Sequence, residues 1–390
     1  MTVMSNPEKV FDQKALLAEA RRRAGSDDFG GEWFFEPMTV LLKAVCAEAR
    51  LNEQGAMIQR ERMLTGLVNR LRMMDAVRRH PEILREEVKV AGVVLGLPRT
   101  GSTMLHRLLA TAPGMTAVRW WETQNYAPFP NDEPGKPVER RKMAVMIQEA
   151  MLKAVPELTA IHPFSIDAPD EEIIIMDQFF VGTMPPASMY VPSYATWLET
   201  YDQTQAYTDL KDVLKFLQWQ DESRRGKRWV LKTPGHLVAA HTVLKVYPDA
   251  ILIATHRDPL QTIPSYCSMV DSLYRLASNE ISQKEVGELT SKSWALYLSR
   301  FAELRRSMSA DRFIDVRYEE QVADPLKQVR MVLKRTGVDM NPETESIMKD
   351  WLEENAREKR AAHNYKMEDF GLSPDQLARD FAVYKAQFLS

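Results

Sequence analysis

The passage from Val93 to Leu109, VVLGLPRTGSTMLHRLL, constrains this chain more than any other. An apolar run of strand type leads into a turn with glycines at Gly96 and Gly101, and apolar residues at helical spacing follow. Glycines in G-x-x-x-x-G spacing let backbone N–H groups wrap a phosphate, and the next helix turns its positive end toward the same anion. A Walker loop would continue Gly-Lys-Ser/Thr, with the lysine reaching the β/γ-phosphates of ATP. Here Gly101 is followed by Ser102 and Thr103, and the cation comes earlier, at Arg99.

The rest of the chain supplies a sheet for that loop. From about Lys14 to Glu87 the apolar residues recur at helical spacing, as in Met38, Leu41, Leu42 and Val45, until His80-Pro81. Val88 to Leu97 then reads as a buried strand, as do Trp229 to Leu231, Ala250 to Thr255 and Arg312 to Val316. Helical stretches separate them, notably Leu237 to Val246 and Leu260 to Tyr274. Apolar strands alternating with helices predict an α/β fold, a P-loop-like parallel sheet flanked by helices. We expect a helical N-terminal extension over 1–87 and an α/β domain over 88–390. Tyr126 to Pro137 is read as a surface loop, opening a helical cap insertion of about 126–220.

Charge narrows the partners. A formal net charge of -3 over 390 residues argues against nucleic acid, so any anion site must be local. Two distant cysteines, Cys46 and Cys267, fit a reducing compartment. No 18-residue apolar run is present, so no transmembrane segment is expected. The N-terminus lacks the order of a secretory signal, and a cytoplasmic location is expected. His106, His162 and His256 have no metal-ligand spacing, and no metal is expected.

Pro98-Arg99-Thr100-Gly101-Ser102-Thr103 fits P-[KR]-[ST]-G-[ST]-[ST] at every position and resembles the 5′-phosphosulfate loop of sulfotransferases. That family transfers a sulfuryl group from PAPS (3′-phosphoadenosine-5′-phosphosulfate), leaving PAP. The resemblance implies that Arg99, Thr100, Gly101, Ser102 and Thr103 hold the 5′-phosphate, and that the 3′-phosphate has a second site. Ile251 to Met269 matches it, with Arg257 at a strand end and Ser265 eight residues on. FIDVRYEE, from Phe313 to Glu320, resembles the family strand whose tyrosine, here Tyr318, approaches the nucleotide. Arg357 to Leu372 resembles the closing segment of the bacterial-type branch, with Arg360, His363 and Tyr365 as further nucleotide contacts. The R-K-G-x-x-G loop of animal cytosolic members is not found. The resemblance covers roughly Val88 to Phe388.

Sulfuryl transfer to a hydroxyl needs a base for the departing proton and a cation for the charge left on the phosphate. Glu122, in Arg119-Trp120-Trp121-Glu122-Thr123, lies at an offset similar to the glutamate base of tyrosylprotein and several bacterial sulfotransferases. Leu231-Lys232-Thr233-Pro234-Gly235-His236 resembles the family's K-T-H-L-P passage, with the histidine displaced by two residues. Lys232 is then the catalytic cation beside Arg99, and His236 a second candidate base. Asp170-Glu171-Glu172, after Pro169, is the third candidate for the base, read otherwise as helix-start carboxylates, with Glu171 or Glu172 as acceptor-binding groups. Aromatic and methionine residues of the insertion, from Trp120 to Trp197, suit core packing or the wall of an apolar acceptor pocket. A small apolar or lipid-like alcohol or phenol is the expected acceptor. A P-loop kinase and a catalytically silent nucleotide-binding protein are the alternatives.

Overall fold

The structure, a computed structural model, describes residues 6–130, 132–133, 135–154, 165–278, 280–355 and 365–390. At its centre five strands form a sheet in the order β2-β3-β1-β4-β5. They are β1 Lys89–Gly96, β2 Met115–Thr116, β3 Arg228–Lys232, β4 Ile251–His256 and β5 Phe313–Arg317. All neighbouring pairs are parallel. The expected α/β class and parallel sheet are what the chain forms. The two-residue β2 is too short to leave a pattern in the sequence.

Strand β1 is buried along all but its first residue, as a central parallel strand must be. Its side chains alternate. Val93 and Leu95 join a core with Trp229, Leu231, Leu252 and Ala254. Val94 faces the other way, toward Leu105, Leu108, Val230, Ile253 and Val332. The period of two thus sorts residues to two helical layers. Phe34, Met38, Leu41, Leu64 and Leu67 of the N-terminal region lie in the same core as Val93. The longer helices of that region are Gln13–Ala24, Phe35–Glu48 and Glu53–Arg79, with the side chains of Asp12 and Asn52 capping the first and third of these.

Register decides where the site can be. Val94 pairs with Lys232 on one side and Ile253 on the other, while Gly96 pairs with Thr255 and His256 with Arg317. The carboxyl ends of β1, β3, β4 and β5 therefore open onto one edge. The chain leaves β1 toward β3 on one side and β4 on the other, and such a switch point forms a crevice. Gly96 fits there because a Cβ would stand 2.4 Å from the Thr255 carbonyl oxygen, at a φ of 145°.

Two local readings change. The stretch read as a surface loop begins with a fully buried Tyr126, because Arg140, itself buried, donates to the Tyr126 carbonyl at 3.0 Å and pairs with Asp132. Leu237 to Val246 is not one helix: a 3-10 turn at Pro234–Leu237 precedes a helix at Ala240–Val246. The stretch expected as a cap insertion contains the helices Val138–Ala154, Ile173–Asp177, Met184–Ser188, Pro192–Leu198 and Thr204–Gln220. Among the described residues no helix is long and apolar enough to cross a membrane.

Candidate active site

The loop between β1 and the helix Ser102–Thr111 is held from behind. Thr100, fully buried, donates its hydroxyl to the Leu97 carbonyl at 2.7 Å and lies 2.7 Å from the Thr255 hydroxyl. Its hydroxyl thus faces the sheet. Arg99 adopts φ 69°, a left-handed conformation that costs an arginine about 1 kcal/mol and needs support around it. Arg257 gives that support by donating to the Arg99 carbonyl at 2.9 Å. Gly101, at φ 82°, starts the helix. A Cβ on it would meet the Tyr318 ring at 3.3 Å and Gln321 Nε2 at 3.1 Å. Gln321 donates to the Gly101 carbonyl at 2.9 Å.

The two anion segments of the sequence converge. Arg99 Nε donates to Ser265 Oγ at 3.3 Å, and the Arg257 guanidinium lies over the Tyr318 ring at 4.0 Å. Arg99, Arg257, Ser265 and Tyr318 thus surround the end of β1, although 219 positions separate the first from the last. Arg257 also donates from Nε and Nη2 to Gln261, one turn into the helix Pro259–Ala277, which Asp258 caps. Tyr365 donates to the Gln261 carbonyl at 3.4 Å. Arg360, His363 and His162 lie outside the described residues.

Strand β3 ends beside the same loop. Lys232, 1% exposed, donates from Nζ to Thr103 Oγ1 at 3.0 Å and to the Glu171 carboxylate. Glu171 keeps 19% of its side chain exposed. Its neighbour Glu172, 1% exposed, accepts from the Lys232 backbone N–H at 3.2 Å and hydrogen-bonds His236 Nε2 at 2.5 Å. His236 Nδ1 in turn meets the Tyr207 hydroxyl at 2.8 Å. Burial opposes charge on Glu172, but the hydrogen bond from His236 outweighs it and holds the carboxyl below its ordinary range. His106 is the reverse case. Burial, and then the Lys232 charge, pull its pKa down to about 4, so the ring is neutral.

Glu122 is elsewhere in its bonding. It is 2% exposed; one carboxylate oxygen accepts from Arg224 at 2.7 Å and the other from the Arg119 backbone N–H at 2.8 Å. The pair with Arg224 is almost wholly buried and ties the start of the cap to the turn before β3. The aromatic and methionine residues from Trp120 to Trp197 are mostly core: Phe179, Phe180, Met189, Tyr194, Trp120 and Trp121 are all buried. Tyr207, Arg224, Thr255 and Gln321 escaped the sequence reading because each is an ordinary residue of a helix, turn or strand whose partner is remote in the chain. Thr255 alone had a local signal, its place one residue before His256-Arg257 at a strand end.

The fold and the site together define an α/β protein whose cationic crevice faces a phosphate loop without a Walker lysine. The sulfotransferase family model matches residues 93–342, and the chain belongs to that family. It is similar to the sulfotransferase STF1 of Mycobacterium tuberculosis, with TM-score 0.82 and 29% identity over 95% of this chain and 98% of that one. It is also similar to STF9 of Mycobacterium avium, with TM-score 0.86 and 27% identity over 96% of each chain. Among sequences, it is 24% identical over 263 residues to omega-hydroxy-beta-dihydromenaquinone-9 sulfotransferase Stf3 of Mycobacterium bovis and of Mycobacterium tuberculosis. That match takes in 63% of this chain and spans 62% of the length of those curated relatives.

Proposed function

We propose that this chain transfers the sulfuryl group of PAPS to the hydroxyl of a lipid-like alcohol or phenol, with Glu171 as base and Lys232 as the cation that stabilises the departing oxygen. One observation carries the reading: Lys232 Nζ is shared between Thr103 of the phosphate loop and Glu171. A carboxylate able to take the acceptor proton therefore stands next to the group that meets the anion.

The donor's fit rests on this chain's own residues. The cradle at Gly101, which a side chain would fill, offers backbone N–H groups at the start of the helix Ser102–Thr111. Ser102 and Thr103 add hydroxyls, and Arg99 adds charge. Arg257 and Ser265 suit a second phosphate on the same nucleotide, because Arg99 touches both segments. When bound, PAPS supplies an activated sulfuryl group whose bond to the 5′-phosphate oxygen breaks as the acceptor oxygen attacks. Glu171 takes the hydroxyl proton during attack. Lys232 and Arg99 face the charge that collects on the leaving oxygen, in a site where burial strengthens both.

Glu171 is preferred over the other three candidates on access. Glu122 has both oxygens engaged at a buried ion pair, and Glu172 and His236 are sealed against each other. The lipid-like acceptor rests on the similarity to the Stf3 relatives, which are named for sulfation of a dihydromenaquinone. The test is Glu171→Gln with [35S]PAPS and a panel of long-chain alcohols, phenols and desulfated glycans. Turnover should fall by about 10²-fold or more with PAP affinity nearly intact. Full turnover in this variant moves the base elsewhere, and transfer confined to polyanionic glycans removes the lipid-like acceptor. A kinase reading would instead require ATP with magnesium, and thermal stabilisation by PAP in EDTA separates the two.

A further inference from the structure

We infer that Tyr207, His236 and Glu172 form a buried positioning chain that sets the Lys232–Glu171 pair, so that the histidine of the Leu231–His236 passage is a strut and carries no proton in the reaction. The inference builds on the roles assigned to Lys232 and Glu171 above.

Residue 232 is gripped twice. Its backbone N–H donates to Glu172, and its side chain donates to Glu171. Two successive carboxylates of the cap thus hold one residue at the end of β3, one by the main chain and one by the ammonium. Moving Glu172 moves Glu171, because a single peptide joins them. Whatever fixes Glu172 therefore fixes the base against the cation.

His236 is what fixes Glu172. Their contact is 2.5 Å, and the two side chains are 0% and 1% exposed. A carboxylate that also accepts an amide N–H needs a proton on Nε2. In the neutral ring of the proposed chain, the remaining lone pair is on Nδ1 and accepts from the Tyr207 hydroxyl, 2.8 Å away. Tyr207, 2% exposed, sits on the helix Thr204–Gln220 and so ties the tautomer to the rigid part of the cap. A general base needs a lone pair within hydrogen-bonding reach of the acceptor. Both nitrogens of His236 are committed, and no part of the ring reaches solvent. The charged and titratable groups facing this chain are Lys232 from β3 and His106 from the helix Ser102–Thr111, with Asp170 beside them. The hydrogen bond from His236 keeps Glu172 ionised against its burial.

The test uses the full chain with [35S]PAPS and n-dodecanol, at a temperature where every variant is folded by circular dichroism. His236→Leu should lower kcat by about 10²-fold with KM for PAPS little changed, as a small misplacement of reacting groups does. His236→Gln, whose amide N–H replaces Nε2–H, should recover most of that loss. The double variant His236→Leu/Glu172→Gln should lose no more than either single variant, as expected for members of one unit. A His236→Gln variant as inactive as His236→Leu, or losses that add, overturns the chain. Independently of any acceptor, 15N-histidine NMR should show, for the ring whose signal disappears in His236→Gln, single protonation at Nε2 and a shift in Tyr207→Phe. A solvent-titrating ring at that position also overturns it. If instead Glu171→Gln keeps full turnover while these results hold, the chain stands as the support of Lys232, and only the base assignment fails.

Discussion

Replacing Arg257 with alanine probes the proposed second anion site directly. In the structure its guanidinium stacks on Tyr318 at 4.0 Å and donates to the Arg99 carbonyl at 2.9 Å. Losing a charge partner of a desolvated phosphate costs about 2–4 kcal/mol. PAP should therefore bind about 30- to 700-fold more weakly, at about 1.4 kcal/mol per factor of ten. A smaller part of the effect acts through the loop. The hydrogen bond to Arg99 is worth about 1 kcal/mol, and it supports a residue at φ 69° whose conformation is itself costly. AMP, which lacks the 3′-phosphate, feels only that part and should weaken about fivefold. Isothermal titration of both nucleotides against the parent and Arg257→Ala reads the difference. Equal losses for PAP and AMP would refute the assignment, because they would mean that Arg257 acts through Arg99 alone. Unchanged affinity for both would remove Arg257 from the nucleotide site altogether.

Other predictions use different parts of the molecule. Glu122→Gln leaves buried Arg224 with only the more exposed Asp221 as partner, and urea unfolding should show a loss of about 1–3 kcal/mol with turnover per folded molecule largely kept. A folded but inactive Glu122→Gln protein would return the base to Glu122. His106 is depressed from 6.5 to about 4, so the unfolded chain binds its proton first as pH falls. Stability should therefore drop between pH 6.5 and 4, by about 3 kcal/mol from this residue, and His106→Gln should flatten that part of a urea-midpoint-against-pH profile. Burial pushes the Cys267 thiol up to about 12, so the native protein should give no fast reaction of that thiol with Ellman's reagent.

The sequence by itself determined the parallel α/β sheet and the phosphate loop, because both are written in short windows. Val93, Val94 and Leu95 alternate between two cores within three residues, and Gly96 and Gly101 are needed by backbone geometry that local spacing reveals. That Arg257 and Ser265 come close to Arg99 was suggested by motif alone, eight positions apart at one strand end. Which carboxylate faces the loop was not legible. Glu122, Glu171 and Glu172 each read as an acid near a helix start. Only packing gives Glu122 to Arg224, Glu172 to His236 and Glu171 to Lys232. Those partners stand 102, 64 and 61 positions away. A charge acquires its role from what remains beside it after burial, and that depends on how the cap folds over the sheet.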